Sequence, residues 1–260
     1  MSVVIRKCMG RHGNQLCPFF VGKIISENLK YKMFGPQADD KEFCLHDIEL
    51  NYNKDGYSYY ETPIQFIGNE SISYAYAHPD INLDDIINDK TPRRIILDGY
   101  FQKKRYFLPY KEQIKQWYGY NKQDIPADHV AMHIRLGDLR QTNHPDLLPR
   151  EYYEEALNQI SNFSKLTICT DTPSDPYYIQ YFIDKYNATI FSANEKDTIS
   201  FLASHNNLIL SVGTFSFWSS FLSDGVNIIN AIPKIGNNRI DPNNEVDLLI
   251  QSPYHKYIAL

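Results

Sequence analysis

The chain is poor in the residues that build disulfide frameworks, metal clusters and membrane spans. Its 260 residues hold four cysteines, Cys8, Cys17, Cys44 and Cys169. None lies in a Cys-x-x-Cys spacing or has a histidine at metal-ligand spacing, and a chain of this length folds without disulfides. They read as free thiols of a reducing compartment. No Asp-x-Asp triplet occurs, so a divalent ion bridging a diphosphate has no evident ligands, and neither a metal nor another cofactor is expected. A P-loop and a Gly-x-Gly-x-x-Gly turn are both missing. Basic residues are not in excess: 26 Lys and Arg against 31 Asp and Glu leave a formal charge of −5, which argues against a nucleic-acid partner. A local basic run, Lys103-Lys104-Arg105, reads as a solvated strand end. No apolar stretch is long enough for an integral membrane segment, and Met1 passes directly into strand-like Val3-Val4-Ile5, so a cytoplasmic protein without a signal peptide is expected. Internal repeats and low-complexity tracts are absent as well.

What is present is an alternation of short apolar strands with helical patterns. Residues 2–5 read as a strand, 10–16 as a glycine-bearing turn, and 16–29 as a helix. Residues 35–90 are irregular, with a strand near Phe66-Ile67 and a short helix near 83–87. A strand at 94–98 and a helix at 108–118 follow, and 121–128, around Pro126, form a hinge. Strands are then expected at 129–134, 166–170, 189–191, 207–211 and 226–229, with helices near 150–160, 176–185, 195–204 and 213–222. This order predicts an α/β fold of two Rossmann-like domains, 1–125 and 126–260, with parallel sheets.

The most informative stretch runs from His129 to Asp138. Val130, Ala131, Met132 and Ile134 suit a parallel strand covered on both faces, and the run stops at His133, Arg135, Gly137 and Asp138. In open α/β sheets ligands sit beyond the carboxyl ends of the strands, which places the Arg135 fork where an anion would be held. A plain Arg135–Asp138 ion pair closing the turn accounts for the same residues. Other strand ends carry Gly13 and Asn14, Asp171, and Thr214 with Ser216. For the first of these a simple strand-to-helix connection is the alternative reading, and for Thr214 ordinary helix capping. If the sheets are parallel, the three tips of the second half share one edge, and the first can face them across a cleft. Tyr100, Phe101, Tyr106 and Phe107 read as core.

Gly-Arg-His-Gly-Asn-Gln-Leu at 10–16, Gly-Tyr-Phe-Gln at 99–102, His-x-Arg-x-Gly-Asp at 133–138, Leu-Pro-x-x-Tyr-Tyr at 148–153 and Thr-Phe-Ser-x-Trp at 214–218 resemble, in order, the GDP-fucose-dependent α-1,2-fucosyltransferases of glycosyltransferase family 11. The resemblance implies a GT-B arrangement, with GDP-fucose as donor and a glycan acceptor, and inverting transfer of fucose. By matching position, Arg135 would contact the diphosphate, with His133 and Asp138 flanking it. Thr214, Phe215 and Ser216 would hold its β-phosphate side, Asp197 would serve the nucleoside, and Asn14, beside Gly13, would sit between donor and acceptor. Arg135, Asp138 and Asn14 are thus the catalytic candidates, and Asp171 joins the donor-binding set. Leu136 departs from the family pattern, which has a second basic residue there, and Phe217 stands where the family has a tryptophan.

Overall fold

A computed structural model of the chain describes residues 1–7, 10–35, 71–75, 81–232 and 246–259. The contacts divide it into two compact units, Met1–Gly119 with Asp241–Leu248, and Tyr120–Ile240 with Leu249–Leu260. The segment 241–248 therefore groups with the first unit, although it lies near the end of the sequence.

In the first unit, β1 (Ser2–Lys7), α1 (His12–Leu29), β2 (Lys32–Phe34), β3 (Ser71–Ala75), α2 (Leu83–Asn88), β4 (Arg94–Asp98) and α3 (Lys111–Tyr118) follow one another. The described strands pair in the order β2-β1-β4-β3, and every pairing is parallel. Helix α1 starts four residues before the expected Leu16. Arg11, in extended backbone, accepts from the N–H groups of Asn14 and Gln15 at 2.9 and 3.2 Å. Gly13 and Asn14 thus belong to the first helical turn, not to a loop. The helix begins early because its first turn is already core: His12, Gly13 and Gln15 are buried together with Leu16, Phe20 and Ile24. Strands β2 and β3 escaped the sequence reading. The strand expected near Phe66-Ile67 lies outside the described residues.

The second unit begins with β5 (His129–Ile134), α4 (Gly137–Gln141), α5 (Arg150–Asn158), β6 (Lys165–Thr170), α6 (Ile179–Tyr186) and β7 (Thr189–Phe191). It continues through α7 (Glu195–Ala203), β8 (Asn207–Leu210), α8 (Thr214–Leu222), β9 (Asn227–Ile232) and β10 (His255–Ala259). The sheet order is β10-β9-β8-β5-β6-β7, parallel throughout. Counted within the unit this is the 3-2-1-4-5-6 order of a dinucleotide-binding sheet, built outward from β5 in one direction and then from β8 in the other. Strand β10 was not anticipated.

Alternation along the strands sorts the core onto two faces. Val130, Met132 and Ile134 pack with Tyr153, Leu157, Ile179 and Phe182 of α5 and α6, whereas Ala131 packs with Leu202, Leu208, Leu210 and Phe215 on the α7 and α8 side. A strand covered on both faces shows no polar side until it leaves the sheet.

Two local expectations need correction. Lys103 is 2% exposed and not a solvated strand end. Its neighbour Lys104 pairs with Asp247 at 2.7 Å, and the segment is pinned by the Asp247 and Gln102 main chains, so backbone pairing with a distant residue pulled this cation inward. The stretch after His133–Asp138 reads from the sequence as a polar loop over 139–146, but its first residues belong to the short helix α4, whose start the Asp171 carboxylate stabilises.

Candidate functional site

In the second unit, β5 and β8 are neighbours that leave the sheet toward opposite flanks, so a crevice opens beyond their carboxyl ends. The residues leaving β5 are Arg135 to Asp138, and those leaving β8 are Ser211 to Thr214. By the alternation of β5, His133 and Arg135 share the α8 side with Ala131, whereas Leu136 is fully buried against α5 and α6. A cation at 136 would enter the core on the face opposite Arg135, which explains the leucine.

The Arg135 guanidinium lies over Gly213: a Cβ on that glycine would come within 2.8 Å of Nη1. Gly213 has φ +105 and ψ 176, a region essentially reserved for glycine, and it forms the N-cap of α8. The sequence therefore combines a backbone twist and a close approach in one residue. Arg135 Nη2 also donates to Asp138 Oδ2 at 3.1 Å, while its side chain remains a quarter exposed. The ion pair weighed against the anion-binding reading exists, but it leaves the other donors of the fork for a ligand.

His133 reaches α8 from the same face. Its Nδ1 is 2.9 Å from Ser216 Oγ, and its ring packs at 4.9 Å on Phe215. Burial, and then the Arg135 cation, push its pKa down to about 4 against a smaller opposing pull from Asp171. The imidazole is neutral near pH 7, so one ring nitrogen donates and the other accepts. Half-buried Thr214 opens α8, where the first-turn N–H groups have no acceptor within the helix itself. A planar cation, a helix start and two hydroxyl residues thus meet at the strand-order reversal. This donor-rich set suits a phosphate group.

Asp171, at the end of β6, has a more mechanical part. Its Oδ1 accepts from the main-chain N–H groups of Leu136 and Gly137 at 3.0 and 3.1 Å, and Gly137 admits no Cβ against this carboxylate. It holds the turn that carries Arg135. Asp197 stands apart, beyond β7 in the first turn of α7. There its main-chain N–H and its carboxylate bond to the amide of Asn194, the residue that caps the helix.

Sequence reading missed Tyr153 and Ser211 beneath this site. The Tyr153 hydroxyl sits beside the Ser211 hydroxyl and the Arg135 main-chain amide without meeting hydrogen-bond geometry to either, and burial pushes its pKa up. Both residues are buried. The second tyrosine of Leu-Pro-x-x-Tyr-Tyr was the available signal.

In the first unit β1 and β4 are neighbouring parallel strands. There Gln102 Nε2 donates to Asn14 Oδ1 at 3.1 Å. Gly10, at φ +75, lets the Asn14 amide nitrogen lie where a Cβ would otherwise stand. Pro18 removes the N–H that would normally reach the Asn14 carbonyl four residues earlier. Gln102 follows Phe101, a fully buried residue with φ 51, a left-handed conformation that costs a bulky side chain roughly 1–2 kcal/mol. A cavity of about 540 Å³ opens near the same loop, lined by Asn82, Asp84, Arg105, Tyr106 and Tyr110 among others.

Among the described residues no three His, Cys, Asp or Glu side chains gather in a way that could hold a metal ion, and no helix is long and apolar enough to cross a membrane. No curated protein matches the chain. The family model described as glycosyl transferase family 11 matches residues 62–245, well over half of the chain, and spans β5 to β9 with the whole Arg135–Ser216 site. The chain therefore belongs to glycosyltransferase family 11 and is a glycosyltransferase of the fucosyltransferase type.

Proposed function

We propose that the protein transfers L-fucose from GDP-β-L-fucose to a hydroxyl of a glycan acceptor, in α-1,2 linkage to galactose, with inversion at the anomeric carbon. The observation that carries this reading is the Arg135 guanidinium seated on Gly213 at the start of α8, beside His133 and Ser216. As the bond to GDP breaks, the sugar becomes oxocarbenium-like and negative charge collects on the departing diphosphate. Interactions that strengthen as this charge grows accelerate the step. Arg135 would supply bidentate donors to the diphosphate, with Thr214 and Ser216 contributing hydroxyls and the first turn of α8 its N–H groups. Neutral His133 would hold Ser216 in place by a hydrogen bond that needs no proton change near neutral pH.

Asn14 and Gly13 of the first unit belong to the acceptor side in this reading, and the two units would work in the GT-B manner, with the donor held by the second. Arg135 would take the charge-neutralising part that a divalent ion plays elsewhere, so the transfer is metal-independent. Asp138 stays a candidate base whose pairing with Arg135 weakens it for that task.

The test is GDP release from GDP-fucose with and without lactose, with the product linkage read by NMR. Acceptor-dependent GDP release and an α-1,2-fucosylated galactose are expected. Release only from another deoxysugar nucleotide, such as GDP-rhamnose, would replace the donor in this reading. Absence of release from every nucleotide sugar would leave a sugar-binding module in its place.

A further inference from the structure

We infer that Tyr153 is a positioning residue for the transfer, its hydroxyl latching the main chain of Arg135 from beneath the crevice. This rests on the proposed diphosphate site at Arg135. Strands β5 and β8 are paired as far as Met132 and Ile209. Beyond that point each stays paired with its outer neighbour, Ile134 with Thr170 and Leu210 with Asn230. The two strand ends diverge into a notch, with Arg135 on one arm and Gly213 on the other.

Two consecutive tyrosines of α5 reach this notch from the face opposite α8. The Tyr152 hydroxyl donates to the Leu210 carbonyl at 2.6 Å and so fixes the end of β8 three residues before Gly213. The Tyr153 hydroxyl stands beside the Ser211 hydroxyl on the β8 arm and the Arg135 main-chain N–H on the β5 arm. Tyr153 is fully buried, and edge-on packing against Tyr152, Tyr178 and Phe182 holds its ring in this direction.

Neither the Tyr153 nor the Ser211 hydroxyl has a hydrogen-bond partner among the described residues. Buried hydroxyls left unpaired weaken a fold, and such exceptions call for a use. A phenol can accept from the Arg135 N–H and donate to Ser211 Oγ at the same time. A small closure of the notch completes both bonds, and once made they hold the Arg135 main chain against the pull of the diphosphate. The Tyr-Tyr pair of Leu-Pro-x-x-Tyr-Tyr thereby anchors one arm and latches the other.

Tyr153→Phe removes the hydroxyl and keeps the ring, and Ser211→Ala removes its partner. Tyr153→Phe is also combined with Arg135→Lys in a double-mutant cycle. Full-length proteins are compared by thermal unfolding, calorimetric titration with GDP, and turnover of GDP-fucose with lactose. Both single variants should melt at or slightly above the wild-type temperature, because each deletes a hydroxyl that has no bond in the fold. Their kcat should nevertheless fall about fivefold, the worth of one hydrogen bond. GDP affinity should fall less, about threefold, since the interaction strengthens as charge builds on the leaving group. In the Arg135→Lys background Tyr153→Phe should change kcat less than about twofold, because the planar guanidinium that the latch aims is gone.

Wild-type kcat and GDP affinity in either single variant, a loss of activity that follows a fall in Tm, or an equal loss of kcat with and without Arg135 would each overturn the inference. Wild-type protein that binds GDP but releases none from GDP-fucose would overturn the transfer reading alone. Weaker GDP binding by Tyr153→Phe would then still support the latch, and equal binding would overturn it. Wild-type protein that binds no GDP would overturn both.

Discussion

His133 and Ser216, 83 residues apart, share a 2.9 Å hydrogen bond that ties the end of β5 to the first turn of α8. It closes the second unit's crevice on the side where Arg135 emerges, so strand, helix start and guanidinium form one connected group.

Arg135→Lys keeps the charge and loses the planar fork. We expect kcat to fall at least about tenfold, some 1.4 kcal/mol of transition-state stabilisation, with a smaller change in GDP affinity. Stability should hold, because the partly exposed pair with Asp138 contributes about 0–1 kcal/mol. A lysine enzyme with more than about half of the wild-type kcat would remove Arg135 from the diphosphate site.

Gly213→Ala meets two obstacles at once, a φ of +105 and the Arg135 guanidinium. A loss of roughly 1–3 kcal/mol in denaturant unfolding is expected from the backbone alone. Activity should fall further than stability explains, since Arg135 must be displaced. An alanine variant with wild-type kcat would show that the guanidinium need not rest there.

Acid should destabilise the fold between about pH 6.5 and pH 4. His133 and His205 are both pushed down to about 4, chiefly by burial, so the unfolded chain binds protons before the native one does. Their contribution is fully present above the unfolded pKa near 6.5 and is lost as the pH falls through the folded values. The conversion of 1.4 kcal/mol per pKa unit sets a ceiling of about 3 kcal/mol for each. Unfolding free energies measured across this window should fall less steeply for His133→Gln than for the wild type. Identical slopes would mean that His133 titrates normally in the native state.

Asp171 distinguishes a turn-holding role from donor binding. Asp171→Asn retains the oxygen that accepts from Leu136 and Gly137 and should keep near-wild-type kcat and stability. Asp171→Ala should cost about 1 kcal/mol or more, since the Leu136 N–H is partly shielded from water, and should lower kcat by loosening the Arg135 turn. A tenfold rise in donor KM for the asparagine variant would assign the carboxylate to the donor instead.

In the proposed reading Arg135 would meet the diphosphate charge, and the chain has no Asp-x-Asp, so transfer should be unaffected by EDTA and should not be stimulated by Mg²⁺ or Mn²⁺. Activity that is abolished by EDTA and restored by either ion would overturn this.

Much of the site was legible because side-chain direction in a strand is local. The period of two places His133 and Arg135 on one face of β5 and Leu136 on the other, and an apolar run ending in polar residues marks a strand leaving a covered sheet. The second unit's helices announced themselves the same way. Elements β2, β3, β10 and α4 were not anticipated.

The sequence by itself determined which side chains stand at strand ends and which of them can bind an anion. Only the tertiary structure decided which ends meet. Strand β8 pairs with β5 on the side away from β6, bringing Gly213 under Arg135. Packing across 88 residues set Gln102 against Asn14. The same packing turned the Asp171 carboxylate to the main chain of Leu136 and Gly137 and drew Lys103 into the interior. The physical reason is that periodicity reports the environment of a residue along its own element. The choice of neighbour comes instead from long-range burial and backbone pairing, for which these local patterns carry no record.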